Sequence, residues 1–530
     1  MLAFIKNLRL YFPPKSSAAF GLLLFFGGFL TGCKSQNLTA FSPSLASTHR
    51  EVLAPPALNR ANSFVWVALG SHLGQRTIAG KSSANLSLES AGKPLSLKDA
   101  NGHIHTATFI KLKWLSVPLR KPEKFSRLVV GSFSSFESAE RVALKLRKLG
   151  FKAVLARPKE WEIWLPKENR LPKRFNAELI EFSKRSKIQP LLLGGNGGNT
   201  QKLVGPIEID APEGLIWKGG IYQGKFKLQK DAYGTWTFIE QVPLEKYLEG
   251  VVPHEIGWSA PFSALKAQAV LARTWALANS HRFLLDGYHL CSDTQCQVYK
   301  DPNMASSKVK QAIKASEGKV LLWKEKPINA VYHASNGGVM AAGDEAWAIE
   351  PKPYLKSQLD GSREWTQKFA WPLSNASQVL TLLQARDGAY GINHPRFRWT
   401  RTLNASQLRK SLKGISPSLL YPTQVKVLSR GISGRVLELA IQDGSNNSPL
   451  LLRFDAIRRS LPQLPSTLFV IRSAGNGVWN FLGGGFGHGA GLSQAGAIDL
   501  ANRGWTTERI LHHYYPTTVY DSLPDFGNSP

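Results

Sequence analysis

The sequence predicts an α+β protein: a mixed core with β-rich parts around one long helix, carrying a small β-α-β-β insert. Three observations lead there. Short alternating apolar runs punctuated by Gly, Ser and Asn, such as "FVWVALG", "ANLSLES" and "ATFIKLKWL", read as half-buried strands. The Ala-rich stretch after Pro261 places Phe262, Leu265, Ala269, Val270, Ala272, Ala276 and Leu277 on one broad arc of a helical wheel. Residues 125–168 change from strand to helix periodicity and back.

From the N-terminus, Lys6, Arg9 and Lys15 precede an apolar run from Ala18 to Leu30, the pattern of a secretory signal and too short for a comfortable membrane span. The run ends in "LTGC", which resembles a lipobox with Cys33 as the lipid-bearing residue; the alternative is a signal peptide with an incidental cysteine. Either reading predicts an exported chain, and the first anchors it to the membrane of the cell envelope. Residues 34–62, rich in Ser, Ala, Pro and Asn, read as a tether. The 530 residues, 43% of them hydrophobic, leave room for real cores. A formal charge of +29 predicts a polyanionic partner: nucleic acid, anionic lipid or cell wall. The export signal, and the lack of an aromatic-rich basic recognition motif, argue against nucleic acid.

The first β part spans 63–120, an insert 121–190 and a linker 191–204, the last from "LLLGGNGGNTQ". Within the insert a strand from Leu128 to Val130 precedes a helix starting at Ser138 with Ala139, Val142, Ala143 and Leu146 on one face. Gly150 caps that helix, and strands follow at Ala153–Ala156 and Trp161–Leu165. The core occupies 205–522. In it, a strand-like run from Glu249 to Val252 leads through Pro253 to Glu255, and "GWSAP" offers Ser259 as N-cap of the long helix. Lys266 and Arg273 lie seven apart inside that helix's apolar arc. A cation there is costly without an anion, so either a buried ion pair or an anionic substrate is expected, with Glu255 the nearest acid.

Beyond the helix, Cys291 and Cys296 admit a local disulfide, a zinc site with His289 or His333, or free thiols. Tyr332, His333, Ser335, Gly337 and Gly338 follow a strand at Pro327–Val331. Residues 365–415 carry helical patterning and "YPTQVKVLSRGISGRVLELAIQDG" reads as a hairpin, together a cap on the core with no catalytic group apparent. His488 sits in "GGGFGHGAGLSQ" ahead of a helix at 493–502 that contains Gln494; no "GK[ST]" follows, which excludes a phosphate loop. His512 and His513 are adjacent and do not share a helix face.

The blocks "LEKYLEGVVPHE", "ALKAQAVLARTWAL", "CQVYKD", "YHASNGG" and "GGGFGHGAGLSQAGAIDLANRGWTTERILHHYYP" resemble, in order, the signature blocks of the SpoIID/LytB family of bacterial cell-wall proteins. The resemblance covers roughly residues 205–520. It implies a lytic transglycosylase acting on peptidoglycan glycan strands, or a non-catalytic relative that enhances an N-acetylmuramoyl amidase. Glu255 matches the family's catalytic glutamate, and one Glu suffices because the sugar's C6 hydroxyl replaces water; no cofactor is required. Acid duty needs a raised pKa, and a cation directly against Glu255 would lower it. Lys266 and Arg273 are therefore expected to bind substrate carboxylate or amide oxygens. The resemblance also implies substrate contacts for Tyr332, Ser335, His488 and Gln494, and a zinc on His289, Cys291 and Cys296 as in some members. "VGSFSSFESAERVALKLRKLGF" resembles a SPOR repeat, a unit that binds peptide-stripped glycan. SpoIID-like chains occur outside spore formers, so no role in sporulation follows.

Overall fold

The α+β reading holds in the structure, a computed structural model that describes residues 49–75, 84–194, 200–444 and 448–523. The export run, Cys33 and the glycine-rich middle of the linker lie outside those residues. No helix among the described residues is long and apolar enough to cross a membrane.

The strand Phe64–Leu73 buries Val65, Val67 and Leu69 on one face, as its alternation predicts. It pairs antiparallel with Trp236–Pro243 inside a seven-stranded sheet that also takes in Lys225–Lys230 and Ile207–Asp210. The chain is already packed before the expected end of the tether at residue 62: the Pro56 carbonyl bonds the His289 ring at 2.9 Å.

The predicted boundary between β part and insert is no break in structure. A single strand, Phe109–Phe133, crosses it, pairing with Leu86–Ser90 at one end and Trp161–Pro166 at the other. The strand Ala177–Leu193 runs antiparallel along most of its length, so "NAELIEFSKR" is strand and the linker begins inside it. The insert's helix α1 (Phe136–Lys148) starts two residues earlier than expected, because the Ser135 hydroxyl, not Ser138, caps it; Gly150 follows its end at φ +86°. The insert's Phe136, Ala139, Trp161 and Ile163 share one apolar cluster with Ala68, Ile239, Phe283 and Tyr288 of the body. It is thus fused to the core rather than strung from it.

Against the seven-stranded sheet lies helix α2 (Leu244–Ile256), and helix α3 (Phe262–Asn279) packs on α2 and on the strand Lys319–Trp323. Helix α3 is not amphipathic in the expected way. Buried residues occur nearly all round it, from Ala264 to Ala276, and its alanines let neighbouring elements approach closely. Pro261, not Ser259, stands at its N-cap. Residues 363–412 hold three short helices and the strand Arg398–Asn404, and Pro422–Arg430 pairs with Val436–Asp443 as the predicted hairpin.

Candidate active-site cleft

Helix α2 delivers Glu255. The run Glu249–Val252, expected as strand, is helical because Leu244, Tyr247, Leu248, Val251 and Val252 form a buried helical face. Pro253 is accommodated in the last turn, where its missing N–H costs one bond near a fraying end. Gly250 lets the following segment lie against α2: a Cβ there would stand 2.4 Å from the Lys300 carbonyl oxygen and 2.5 Å from the Tyr299 ring. That close approach brings the Val298 N–H to Glu255 Oε1 at 3.0 Å.

Glu255 is partly buried, and burial raises its pKa; bonds from Val298 N–H and from the Tyr332 and Gln494 side chains pull the other way without cancelling it. Behind it runs a directed chain. Tyr247 O–H donates to Gln297 Oε1 at 3.1 Å, and Gln297 Nε2–H donates to Tyr332 Oη at 3.0 Å. The phenolic proton of Tyr332 is therefore left for Glu255. Burial, and then the Glu255 charge, push the Tyr332 phenol well above its ordinary pKa, so it remains a donor. Gln494 is anchored by Gln268 Oε1 at 3.3 Å.

Tyr332 is held by a short parallel pairing of Tyr332–His333 with Leu492–Ser493; the expected strand at Pro327–Val331 is reduced to Lys326–Pro327. Gly491, at φ +69°, makes the pairing feasible, since a Cβ would fall 2.0 Å from the Val331 carbonyl oxygen. His488 completes the support. Its Nδ1 accepts from Ala490 N–H at 3.2 Å, so its Nε2–H donates to the Tyr332 carbonyl at 2.8 Å. Burial, followed by the Arg458 charge, lowers its pKa to about 3. It is a neutral positioning residue.

Several sequence expectations are corrected by geometry. Arg273 does not reach the cleft. It is buried and gives a two-pronged ion pair to Glu245 (2.7 and 2.6 Å) and a third bond to the Lys319 carbonyl at 3.0 Å. Glu245 lies ten residues before Glu255 on α2, about 15 Å away along the axis. Lys266, partly exposed, lines neither cavity beside Glu255. Ser335 is buried and its hydroxyl accepts from Gly337 N–H at 3.4 Å, a turn contact. The helix expected at 493–502 begins at Gln494, and Ser493 caps it through Gly496 N–H at 3.2 Å.

The zinc expectation does not fit the residues present. Cys291 and Cys296 form a disulfide, with Cα atoms 5.7 Å apart. His289 accepts from Trp66 N–H at Nδ1 (3.0 Å) and so donates from Nε2 to the Pro56 carbonyl; burial lowers its pKa to about 4. The His333 ring is buried against Ala490 and His488.

Two cavities flank Glu255. One, about 210 Å³, is walled by α1 of the insert (Phe136, Glu137), the disulfide loop, Trp347, His488 and the arginines 458 and 459. The other, about 480 Å³, is walled by Ala334, His394, Gln494 and Asn502. Glu255 is the residue they share. The first cavity's other carboxylate, Glu137, is ion-paired with Arg282 at 2.6 Å; burial is the largest influence and opposes its ionisation, but the Arg282 charge, hydrogen bonds and the Arg459 charge together outweigh it and the pKa is lowered. Sequence reading missed Gln297, Trp347, Arg458 and the insert's contribution. The "CQVY" block was the signal for Gln297; the others carry no local pattern.

Comparison with known proteins finds relatives over this part of the chain. Residues 232–323, which contain α2, Glu255, α3 and the disulfide loop, match the model described as stage II sporulation protein. Residues 341–491 match a domain of unknown function, DUF8618. The chain is 29% identical over 293 residues to stage II sporulation protein D of Bacillus amyloliquefaciens, covering 52% of this chain and 74% of that protein. Its counterpart from Bacillus subtilis is 28% identical over 306 residues, covering 55% and 78%. The amidase enhancer of Bacillus subtilis is 27% identical over 301 residues, covering 52% of this chain and 40% of that protein. Together with the order of the signature blocks, these matches support the SpoIID/LytB family for this chain.

Proposed function

We propose that the chain is an exported peptidoglycan lytic transglycosylase, anchored through Cys33, with Glu255 as its single general acid and base. One observation carries this reading: Glu255 is the residue common to both cavities, where a glycan strand crossing the cleft would present the bond between two sugars. Its raised pKa supplies the proton. As the C1–O bond breaks, Glu255 protonates the leaving oxygen, and the Val298, Tyr332 and Gln494 donors hold the carboxylate left behind. The C6 hydroxyl of the same sugar then attacks C1 and returns its proton to Glu255, closing a 1,6-anhydro ring. Glu137 is already engaged by Arg282, which leaves acid duty to Glu255. The SPOR-like insert, whose helix α1 walls the cleft, would hold the same polymer.

The relative named amidase enhancer favours a second reading, in which the cleft binds glycan without cutting it and the chain activates an amidase. The test is the end group of glycans released from sacculi by the unmodified protein and by Glu255→Gln. Anhydro ends from the first alone support the enzyme; intact binding without release supports the activator.

A further inference from the structure

The smaller cavity carries an excess positive charge that the fold does not neutralise. Glu137 is spent on Arg282, and Arg459 Nε reaches Asp455 at 2.7 Å. Arg458, on the helix Asp455–Ser460, also lines the cavity but makes no hydrogen bond or ion pair among the described residues. Burial first, and the Arg459 charge second, lower its pKa, although Asp455 works in its favour. A cation partly removed from water beside another cation is unfavourable unless an anion joins it. His488 lies close enough to feel its charge, and the same His488 bonds the Tyr332 backbone. The unpaired guanidinium therefore faces the space next to Glu255.

Resting on the transglycosylase reading of the same cleft, we propose that Arg458, assisted by Arg459, is a specificity-determining anion subsite that takes a carboxylate carried by the glycan strand. The planar fork of a guanidinium matches a carboxylate with two parallel bonds. On a muramic acid unit that carboxylate comes from one of two sources, the lactyl group of a peptide-stripped sugar or the stem peptide. Both arginines lie in the 341–491 segment, outside the segment that matches the sporulation protein model. The specificity element is thus contributed by a different part of the chain from the acid.

The experiment measures binding, not cleavage, using full-length protein carrying Glu255→Gln so that strands persist. Affinities are compared for amidase-stripped glycan strands, peptide-bearing strands and N-acetylglucosamine oligomers of equal length, which carry no carboxylate. Adding Arg458→Gln is expected to weaken binding to a carboxylate-bearing strand at least tenfold and to change the N-acetylglucosamine oligomers less than twofold; Arg458→Lys should recover part of the loss. Loss on stripped strands assigns the lactyl carboxylate, and loss confined to peptide-bearing strands assigns the peptide. An equal loss on all three ligands, no loss on any, or no binding by the parent protein overturns the subsite. Failure of the enzyme reading shows separately, as an absence of anhydro ends with the unmodified protein while the arginine effect on binding persists.

Discussion

Replacing Arg273 by Met separates a structural arginine from a substrate-binding one. The side chain is 2% exposed and makes three bonds: two to Glu245 and one to the Lys319 carbonyl. Breaking a buried ion pair from one side costs about 3–5 kcal/mol, because the remaining charge is stranded. Glu245 keeps 33% of its side chain in water, so its carboxylate rehydrates in part and the cost drops toward about 2–4 kcal/mol. Met fills most of the vacated volume, which keeps the cavity contribution small. Urea unfolding followed by circular dichroism should show that loss, and the double variant with Glu245→Gln should recover about 1–2 kcal/mol of it. Glycan affinity of the folded Arg273→Met protein should stay within twofold of the parent. A stability change under about 0.5 kcal/mol together with a tenfold loss of glycan binding would refute the structural assignment and restore the substrate role.

Other consequences follow from the same geometry. Tyr332→Phe removes a donor to the Glu255 carboxylate, so the Glu255 pKa rises further and the alkaline limb of the activity profile moves to higher pH, while the maximal rate falls about tenfold or more; an unchanged profile would separate Tyr332 from the acid. Gly250→Ala, normally favourable in a helix, should destabilise by about 1–3 kcal/mol in urea unfolding, because the new methyl meets the Lys300 carbonyl and the Tyr299 ring. His289 and His488 have folded pKa values depressed to about 4 and about 3, so the unfolded chain binds more protons below its ordinary histidine pKa of about 6.5. Their contribution to stability is present above that pH and is lost as pH falls toward 4 and then 3; His488→Gln should flatten the slope. Reduction of the Cys291–Cys296 disulfide should lower stability by about 2 kcal/mol or less, since the closed loop is short, and chelators should leave stability unchanged.

What the sequence reveals follows how local each determinant is. The alternation at Val65, Val67 and Leu69 and the α1 face at Ala139, Ala143 and Leu146 are set by neighbours a few residues away, and both faces are buried as the pattern predicts, although α1 begins two residues early. Glu255 was visible through its motif. Its setting was not: Val298, Tyr332 and Gln494 arrive from three distant segments. Arg273 misled because its spacing from Lys266 suggested a shared task, whereas its partner Glu245 lies back at the start of α2, where sequence distance gives no hint of contact. Helix periodicity also misjudged α3, since a helix buried on nearly every side has no polar face to betray its surroundings. Arg458 in "AIRRSL" looks like any solvated basic pair until the chain folds it into a cleft built from the insert, the disulfide loop and the glycine loop.

Mass spectrometry of the glycans released from purified sacculi, native and amidase-stripped, tests the role of Glu255 most directly. The unmodified protein should release products ending in 1,6-anhydro sugars, and the Glu255→Gln variant should bind the same sacculi and release none. Equal release by both proteins would contradict the assignment of Glu255, and binding without release by either would leave the cleft as the docking site of an amidase activator.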